Sequence, residues 1–163
     1  RLRSLIYQGD LVVFTTLSSV NMFVQFVRKQ LQEVFAPHDP RDAHEHYSPE
    51  ELARILGVWK PRFIHHLRAK QLVRQVIEEA GCSPDHSMFD LPKPRTSYPA
   101  GHLTTGIAFA FPWHRDTWYA APPQQINWWF PVSEVSADTA MEFDPVSFAR
   151  PATGFADRAS AAG

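Results

Sequence analysis

The chain has 163 residues, of which 44% are apolar and 20% are charged, and its formal net charge is −1. This composition is typical of a globular domain with a hydrophobic core. It argues against partners that need a basic surface, such as nucleic acid or an anionic membrane, and no apolar run approaches the roughly 18 residues of a membrane span. Cys82 is the single cysteine, so an internal disulfide is excluded and a reducing, cytoplasmic location is expected.

The first part of the chain predicts one strand and then one helix. β-Branched and aromatic residues after a Gly-Asp turn predict a strand at Gly9–Leu17. Apolar residues at helical spacing predict a helix over Val20–Phe35, and a proline two residues beyond marks its end. Ser18 or Ser19 is expected to cap the start of this helix.

Two more helices are predicted after a polar loop at His38–His46. The segment Ser48–Glu51 is a capping box with proline at the first helical position, and it opens a helix. This helix is predicted to be short, because Gly57 occupies a position suited to a C-terminal cap and a proline soon follows. The next helix is predicted over about His66–Ala80 and is closed by a glycine. Its core-facing residues are expected to be Leu67, Leu72, Val73, Val76 and Ile77.

After Cys82 the pattern changes to turns and short strands. A proline-rich stretch contains MFDL (88–91) as a short predicted strand. Strong strands are predicted at HLTTGIAFAFPW (102–113) and QQINWWFPV (124–132), and a weaker one at TAMEFDPV (139–146). This order of elements predicts an α+β fold in which helices pack on one face of a mainly antiparallel sheet.

A His-x-Asp pair follows the strongest predicted strand. Residues 106–114 alternate large and small side chains, and His114 falls on the face with the small ones. If the extended path continues, Asp116 points the same way, and the imidazole and carboxylate converge beside an open volume. Such a pair supplies two of the three ligands of a two-His-one-carboxylate Fe(II) site. The alternative without a metal is that His114 and Asp116 form a surface turn with an ordinary hydrogen bond. Gln125 and Asn127 share one face of the next predicted strand, where neutral amides would orient an anionic ligand.

The blocks PWHRDTWY, QINWWFPV and AMEFDP resemble the phytanoyl-CoA dioxygenase-like family of Fe(II)/2-oxoglutarate oxygenases. The segments KPRFIHH (60–66) and GDLVVF (9–14) are similar to a bacterial branch of that family, and the resemblance covers most of residues 9–148. It implies a double-stranded β-helix, or jelly roll, with flanking N-terminal helices.

The resemblance also implies roles for individual residues. His114 and Asp116 match the first two iron ligands, and the carboxylate favours hydroxylation over halogenation, because halogenating relatives carry a small residue there. The residues implied near the 2-oxoglutarate cofactor are Thr117, Gln125 and Asn127. The residues expected to contact the substrate are His102, which shares the strand register of His114, Trp118 and Trp129.

The sequence departs from the family at its third iron ligand. That ligand is a distal histidine followed by an arginine that binds the far carboxylate of 2-oxoglutarate, but no histidine follows His114 here. Arg150 and Arg158 remain, and nothing identifies either as that arginine. The β-helix is therefore expected to be incomplete at its C-terminal end. The chain is predicted to be one domain, residues 1–163, with one strand and helices in 1–81, β-helix strands with the His-x-Asp pair in 82–150 and a tail in 151–163.

The predicted function is hydroxylation of a small organic molecule with Fe(II), 2-oxoglutarate and dioxygen, without a nucleic-acid or membrane partner. One alternative is a non-catalytic jelly-roll module that binds a ligand and has lost the distal iron ligand. Another is a hydrolytic zinc site built from His102, His114 and Asp116. The substrate and the oligomeric state stay open, and the exposed edges of an incomplete β-helix would be compatible with a homo-oligomer.

The remaining candidate residues have plain structural interpretations. His44-Glu45-His46 is predicted to be a solvated loop rather than a metal-binding pair. His65 and His66 are neighbours, so their side chains diverge, and a supporting role near the site is the alternative to a structural one. Arg95 either reaches an anionic substrate or lies on the surface.

Overall fold

The computed structural model describes residues 2–98, 114, 121–122, 124–137 and 140–144. Five α-helices lie in these ranges: α1 (Leu2–Tyr7), α2 (Ser18–Phe35), α3 (Ala43–His46), α4 (Pro49–Ile64) and α5 (Leu67–Glu79), with a 3-10 turn at Pro40–Asp42. The described residues form two compact units. The helical unit comprises residues 15–98 and 130–137, and the second unit comprises residues 2–14, 114, 121–122, 124–129 and 140–144.

The core of the helical unit is built from one apolar stripe on each long helix. On α4, the buried residues recur at alternating intervals of four and three positions, which places them on one face of the helix. The stripes consist of Phe23, Val27 and Phe35 on α2, Leu52, Leu56, Trp59 and Phe63 on α4, and Ala69, Leu72 and Val76 on α5. Burial of each large side chain in such a core contributes about 1.5–3 kcal/mol, so these stripes determine which helical faces meet.

The start of α2 is fixed by a carboxylate from the end of α5. The N-cap residue of α2 is Leu17, which has no side chain able to cap. Instead, Glu79 Oε1 accepts from Ser18 N at 2.8 Å and Ser18 Oγ at 2.9 Å. Glu79 Oε2 accepts from Ser19 N at 2.7 Å and from the Ser19 hydroxyl. The prediction that Ser18 or Ser19 caps this helix is therefore wrong, because both serines act as donors to a distant acid.

These hydrogen bonds stabilise the charged form of the acid. The donors at Ser19, followed by those at Ser18, lower the pKa of Glu79 from 4.5 to about 2. The partial positive charge at a helix N-terminus acts in the same direction. Glu79 is thus ionised at neutral pH, and its carboxylate joins the end of α5 to the start of α2.

α4 is longer than predicted. It begins at the expected capping box, in which the Ser48 hydroxyl accepts from Glu51 N and Glu51 accepts from Ser48 N at 2.9 Å. It then continues through Gly57 and Pro61 to Ile64. Pro61 has no N–H to donate within the helix, which removes one helical hydrogen bond. The apolar stripe continues past this point, so tertiary packing retains the helix where local signals predicted its end.

The predictions of an α+β fold and of a double-stranded β-helix are wrong for the described residues, which form helices and irregular segments and contain no strand. The predicted strands at Gly9–Leu17, 88–91 and 124–132 have no backbone ladder there, and the described part of 139–146, Ala140–Asp144, has none either. A strand is stable only when a neighbour pairs with its backbone groups. Val13 is 82% exposed and Met88 is fully exposed, so these apolar side chains are not buried against a sheet. The predicted strand at 102–113 lies outside the described residues.

The predictions for the two other long helices are confirmed. α2 ends before the proline as expected, and α5 is followed by Gly81, which has a left-handed φ of 86°. Leu72 and Val76 are buried as predicted, but Leu67, at the first position of α5, is 69% exposed. Within the ranges that the structure describes, no helix combines the length and apolarity needed to cross a membrane.

Two exposed glycines, Gly57 within α4 and Gly81 after α5, provide a matched test of helix energetics. A Cβ added to Gly57 would meet no atom within 4 Å, so Gly57→Ala is expected to raise the free energy of unfolding by about 0.5–1 kcal/mol, because alanine favours the helix. A Cβ added to Gly81 would also meet no atom within 4 Å. Because the φ of this residue is positive, Gly81→Ala should lower the free energy of unfolding by about 1 kcal/mol. Urea denaturation measures both changes, and shifts of the same sign would contradict the assignment of Gly57 to a helix interior.

The Glu79 cap predicts a specific pH dependence of stability. The folded pKa of about 2 lies below the ordinary value of 4.5, so the carboxylate stabilises the fold above about pH 4.5 and this contribution is lost as the pH falls towards 2. Glu79→Gln should lower the melting temperature at pH 7, and its difference from the unaltered protein should shrink below about pH 4.5. Glu78→Gln, one residue earlier on α5, is the control. A pH-independent difference for Glu79→Gln would show that its charge is not involved.

Candidate functional site

The start of the segment 124–129, in the second unit, is positioned by two hydrogen bonds. The Tyr7 hydroxyl on α1 donates to the carbonyl oxygen of Gln124 at 2.7 Å. Gln125 N donates to the carbonyl oxygen of Pro122 at 2.9 Å, which closes a turn ahead of the segment. These contacts place the first amide of the predicted ligand-binding face directly after a hydrogen-bonded turn.

The two amides predicted to orient a cofactor contact each other. Gln125 Nε2 donates to Asn127 Oδ1 at 2.8 Å, and both side chains are exposed. A pair of linked amides presents both donors and acceptors at one place on the surface. Their role towards 2-oxoglutarate stays a prediction.

The aromatic residues beside the amides are only partly covered. Trp128 stacks on Phe14 with ring centroids 5.5 Å apart and ring planes 13° apart. This arrangement suits two aromatic faces that bury each other. Trp129, which is predicted to contact the substrate, remains 41% exposed. The segment therefore carries aromatic surface that a ligand can reach.

The structure places one of the two predicted iron ligands. His114 is exposed, whereas Asp116 lies outside the described residues, as do Thr117, Trp118 and His102. Among the residues whose positions are described, no group of three or more His, Cys, Asp or Glu side chains is arranged to hold a metal ion. The described donors alone therefore do not form a complete iron site, and the convergence of His114 with Asp116 stays a prediction.

A cluster of donors in the helical unit was not recognised from the sequence. Lys60, near the end of α4, is half-buried, and its Nζ donates to Thr96 Oγ1 at 2.9 Å. Burial, and next the positive charge of Arg95, lower the pKa of Lys60 from 10.5 to about 8. The sequence signal for this cluster is the short basic stretch KPRTSY, from which Arg95 is predicted either to reach an anionic substrate or to lie on the surface.

The segment predicted as a polar loop, His38–His46, instead contains the 3-10 turn at Pro40–Asp42 and the short helix α3, which includes His44, Glu45 and His46. Asp39 accepts from Arg41 N at 2.9 Å and pairs with the Arg41 guanidinium at 2.7 Å, which starts the 3-10 turn. The hydrogen bonds from Arg41 lower the pKa of Asp39 to about 2. The rings of His38 and His46 stack with their centroids 3.9 Å apart. Parallel rings direct their nitrogen lone pairs along parallel planes, so this pair does not converge on one metal ion.

A shallow groove of about 260 Å³ lies beside this turn, between α2 and the segment around Val132. Its charged side chains already have protein partners. Arg28 Nε donates to the carbonyl oxygen of Val132 at 2.6 Å, and Arg41 is paired with Asp39. Arg28 and Arg41, the cations that line the groove, are therefore already engaged in contacts within the protein.

We found no match to the chain among protein-family models, curated proteins or solved structures.

His66 has a structural role that can be tested directly. Its Nδ1 accepts from Arg68 N at 3.0 Å, which caps α5, and its ring lies 5.1 Å from Phe26. His66→Ala should lower the free energy of unfolding by about 1 kcal/mol more than His66→Asn, because asparagine keeps a capping oxygen. Both variants lose the contact with Phe26, so their difference isolates the cap. Equal urea midpoints for the two variants would show that the cap is unimportant.

Proposed function

We propose that the chain belongs to an Fe(II)/2-oxoglutarate-dependent oxygenase that hydroxylates a small organic molecule, with His114 and Asp116 as two of its iron ligands. The proposal depends on the sequence block His114–Tyr119 followed by Gln125–Trp129, which resembles the ligand-bearing part of such enzymes. The linked amides of Gln125 and Asn127, beside the exposed ring of Trp129, support a ligand-binding role for the second part of this block.

The proposal does not require the β-helix, which the described residues do not form. It requires that the imidazole of His114 and the carboxylate of Asp116 reach one metal ion together with a third ligand. Imidazole and carboxylate are the donors of facial iron sites. No described side chains join His114 in a group of three potential metal ligands, so the proposed site needs at least one ligand from outside these residues.

The residues of this chain would bind and orient the reactants. Bound iron and 2-oxoglutarate would supply the oxidising chemistry with dioxygen. Gln125 and Asn127 would donate to a carboxylate without a charge of their own that competes for the metal. Trp129 would cover the substrate and exclude water. A cytoplasmic location is part of the proposal, since the free thiol of Cys82 suits a reducing compartment.

Anaerobic titration of the full chain with Fe(II) tests this proposal. With 2-oxoglutarate present, a weak metal-to-ligand absorption band in the green is expected. His114→Ala and Asp116→Ala should each abolish the band and weaken Fe(II) binding by more than about tenfold, because each removes a ligand. His86→Ala is the control. His86 is exposed and lies in the helical unit, where its Nδ1 is 3.0 Å from the hydroxyl of Ser83, so it is not one of the proposed iron ligands.

The same titration distinguishes an oxygenase from a module that binds ligands without turnover. A band that disappears in both ligand variants and persists in His86→Ala would support the oxygenase. If no band forms, or if the control loses it equally, the proposal fails. A module that binds ligands without turnover would then be favoured.

A further inference from the structure

Two stacked histidine rings join the end of α2 to α3. His38 follows α2, and its backbone N–H donates to the carbonyl oxygen of Phe35 at 2.8 Å. His46 is the last residue of α3. The centroids of the two rings are 3.9 Å apart and the ring planes are 19° apart. The stack therefore connects the two ends of the segment that contains the 3-10 turn and α3.

Tyr47 links this stack to the core. Its ring lies 5.7 Å from that of His38, edge to face, and 6.0 Å from the buried ring of Phe35. Aromatic pairs at such separations stabilise a fold beyond the area that they bury. Tyr47 N also donates to the carbonyl oxygen of Ala43 at 3.0 Å, which closes the single turn of α3. The histidine stack and the hydrogen bond of α3 are therefore mechanically connected through one residue.

The charges near the stack do not compensate a charge on either imidazole. The acids on the elements next to the stack are Glu33, Asp39, Asp42, Glu45, Glu50 and Glu51. None of these carboxylates forms an ion pair with His38 or His46. Asp39 is paired with Arg41 at 2.7 Å, and Glu51 accepts from Ser48 N at 2.9 Å. The other titratable rings are that of Tyr47 and that of His44, which packs beside Tyr98.

Protonation changes the interaction between the two rings. An imidazole gains its proton near pH 6.5, and repulsion arises only when both rings carry a charge. Two cations at the 3.9 Å separation of these rings repel enough to lower the stacked population about fivefold, even with the dielectric screening of bulk water. The open form therefore binds one more proton than the stacked form, and stacking weakens as the pH falls.

From this geometry we propose that His38 and His46 form a pH-sensitive clasp, which holds α3 against the end of α2 at neutral pH and opens below about pH 6. The 3-10 turn lies between the two histidines in the sequence, so opening the clasp releases the turn together with α3. The clasp is independent of the proposed oxygenase function, because it needs neither iron nor the His114 segment.

Amide hydrogen exchange of the unaltered full chain measures the opening. Tyr47 N is the reporter, because its hydrogen bond closes α3. After correction for the intrinsic exchange rate at each pH, its protection factor should fall at least about fivefold from pH 7 to pH 5. Ala80 N, which donates to the carbonyl oxygen of Val76 at 3.0 Å, is the internal reference and should not change. Glu79 stays ionised over this range, because its pKa is about 2.

His46→Phe and His38→Phe separate the charge from the ring contact. Phenylalanine keeps a flat ring that can stack but takes no proton. In these variants the Tyr47 amide should keep at pH 5 the protection that the unaltered chain has at pH 7. His65→Phe, which replaces an exposed histidine directly after α4, is the matched control and should retain the fall in protection.

Two results would overturn the clasp. One is an unaltered chain in which the protection of Tyr47 N falls no more than that of Ala80 N between pH 7 and pH 5. The other is a fall in the unaltered chain with neither phenylalanine variant protected at both pH values, which would assign the change to other titrating groups. Loss of the fall in His65→Phe as well would have the same meaning.

Discussion

The helical unit depends on the carboxylate of Glu79 at the start of α2. An acid in the last turn of a helix is unfavourably placed with respect to the dipole of its own helix. The backbone N–H groups at the start of another helix need acceptors, and Leu17 supplies none. Placing the end of α5 beside the start of α2 solves both problems, because Glu79 accepts four hydrogen bonds from Ser18 and Ser19. This contact fixes the ends of the two helices, while their apolar stripes fix the faces that meet.

The parts of the fold that were predictable are those whose signals are local and agree with each other. α2 and α5 have helical apolar spacing and clear end signals, and both were predicted within a few residues. The cap from Glu79 was not predictable, because it joins residues 60 positions apart in the sequence. The β-branched residues around Val13 favoured a strand, but a strand depends on a pairing partner that a local pattern does not specify. In the second unit, Phe14 stacks on Trp128 instead.

The candidate oxygenase site also has features that the sequence predicts and features that it does not. The amides of Gln125 and Asn127 could be selected from the sequence, because residues two apart share a side of an extended chain, and their side chains are in contact. Their ligand could not be deduced from spacing, since two linked amides suit many polar ligands. The pairing of His114 with Asp116 depends on the backbone path between them. The family resemblance therefore contributes more to the oxygenase proposal than the described geometry does.

The contact between Lys60 and Thr96 was not predictable for the same reason that the length of α4 was underestimated. If the helix ended near Gly57, Lys60 would lie in a loop, where a lysine is ordinarily hydrated and has no special chemistry. Because the buried stripe carries α4 past Gly57 to Phe63, Lys60 occupies a fixed position beside Trp59 and against the segment of Thr96. The packing that carries α4 past two helix-ending signals also holds the half-buried ammonium of Lys60 against the hydroxyl of Thr96. The continuity of α4 and the chemistry of Lys60 are consequences of one packing constraint.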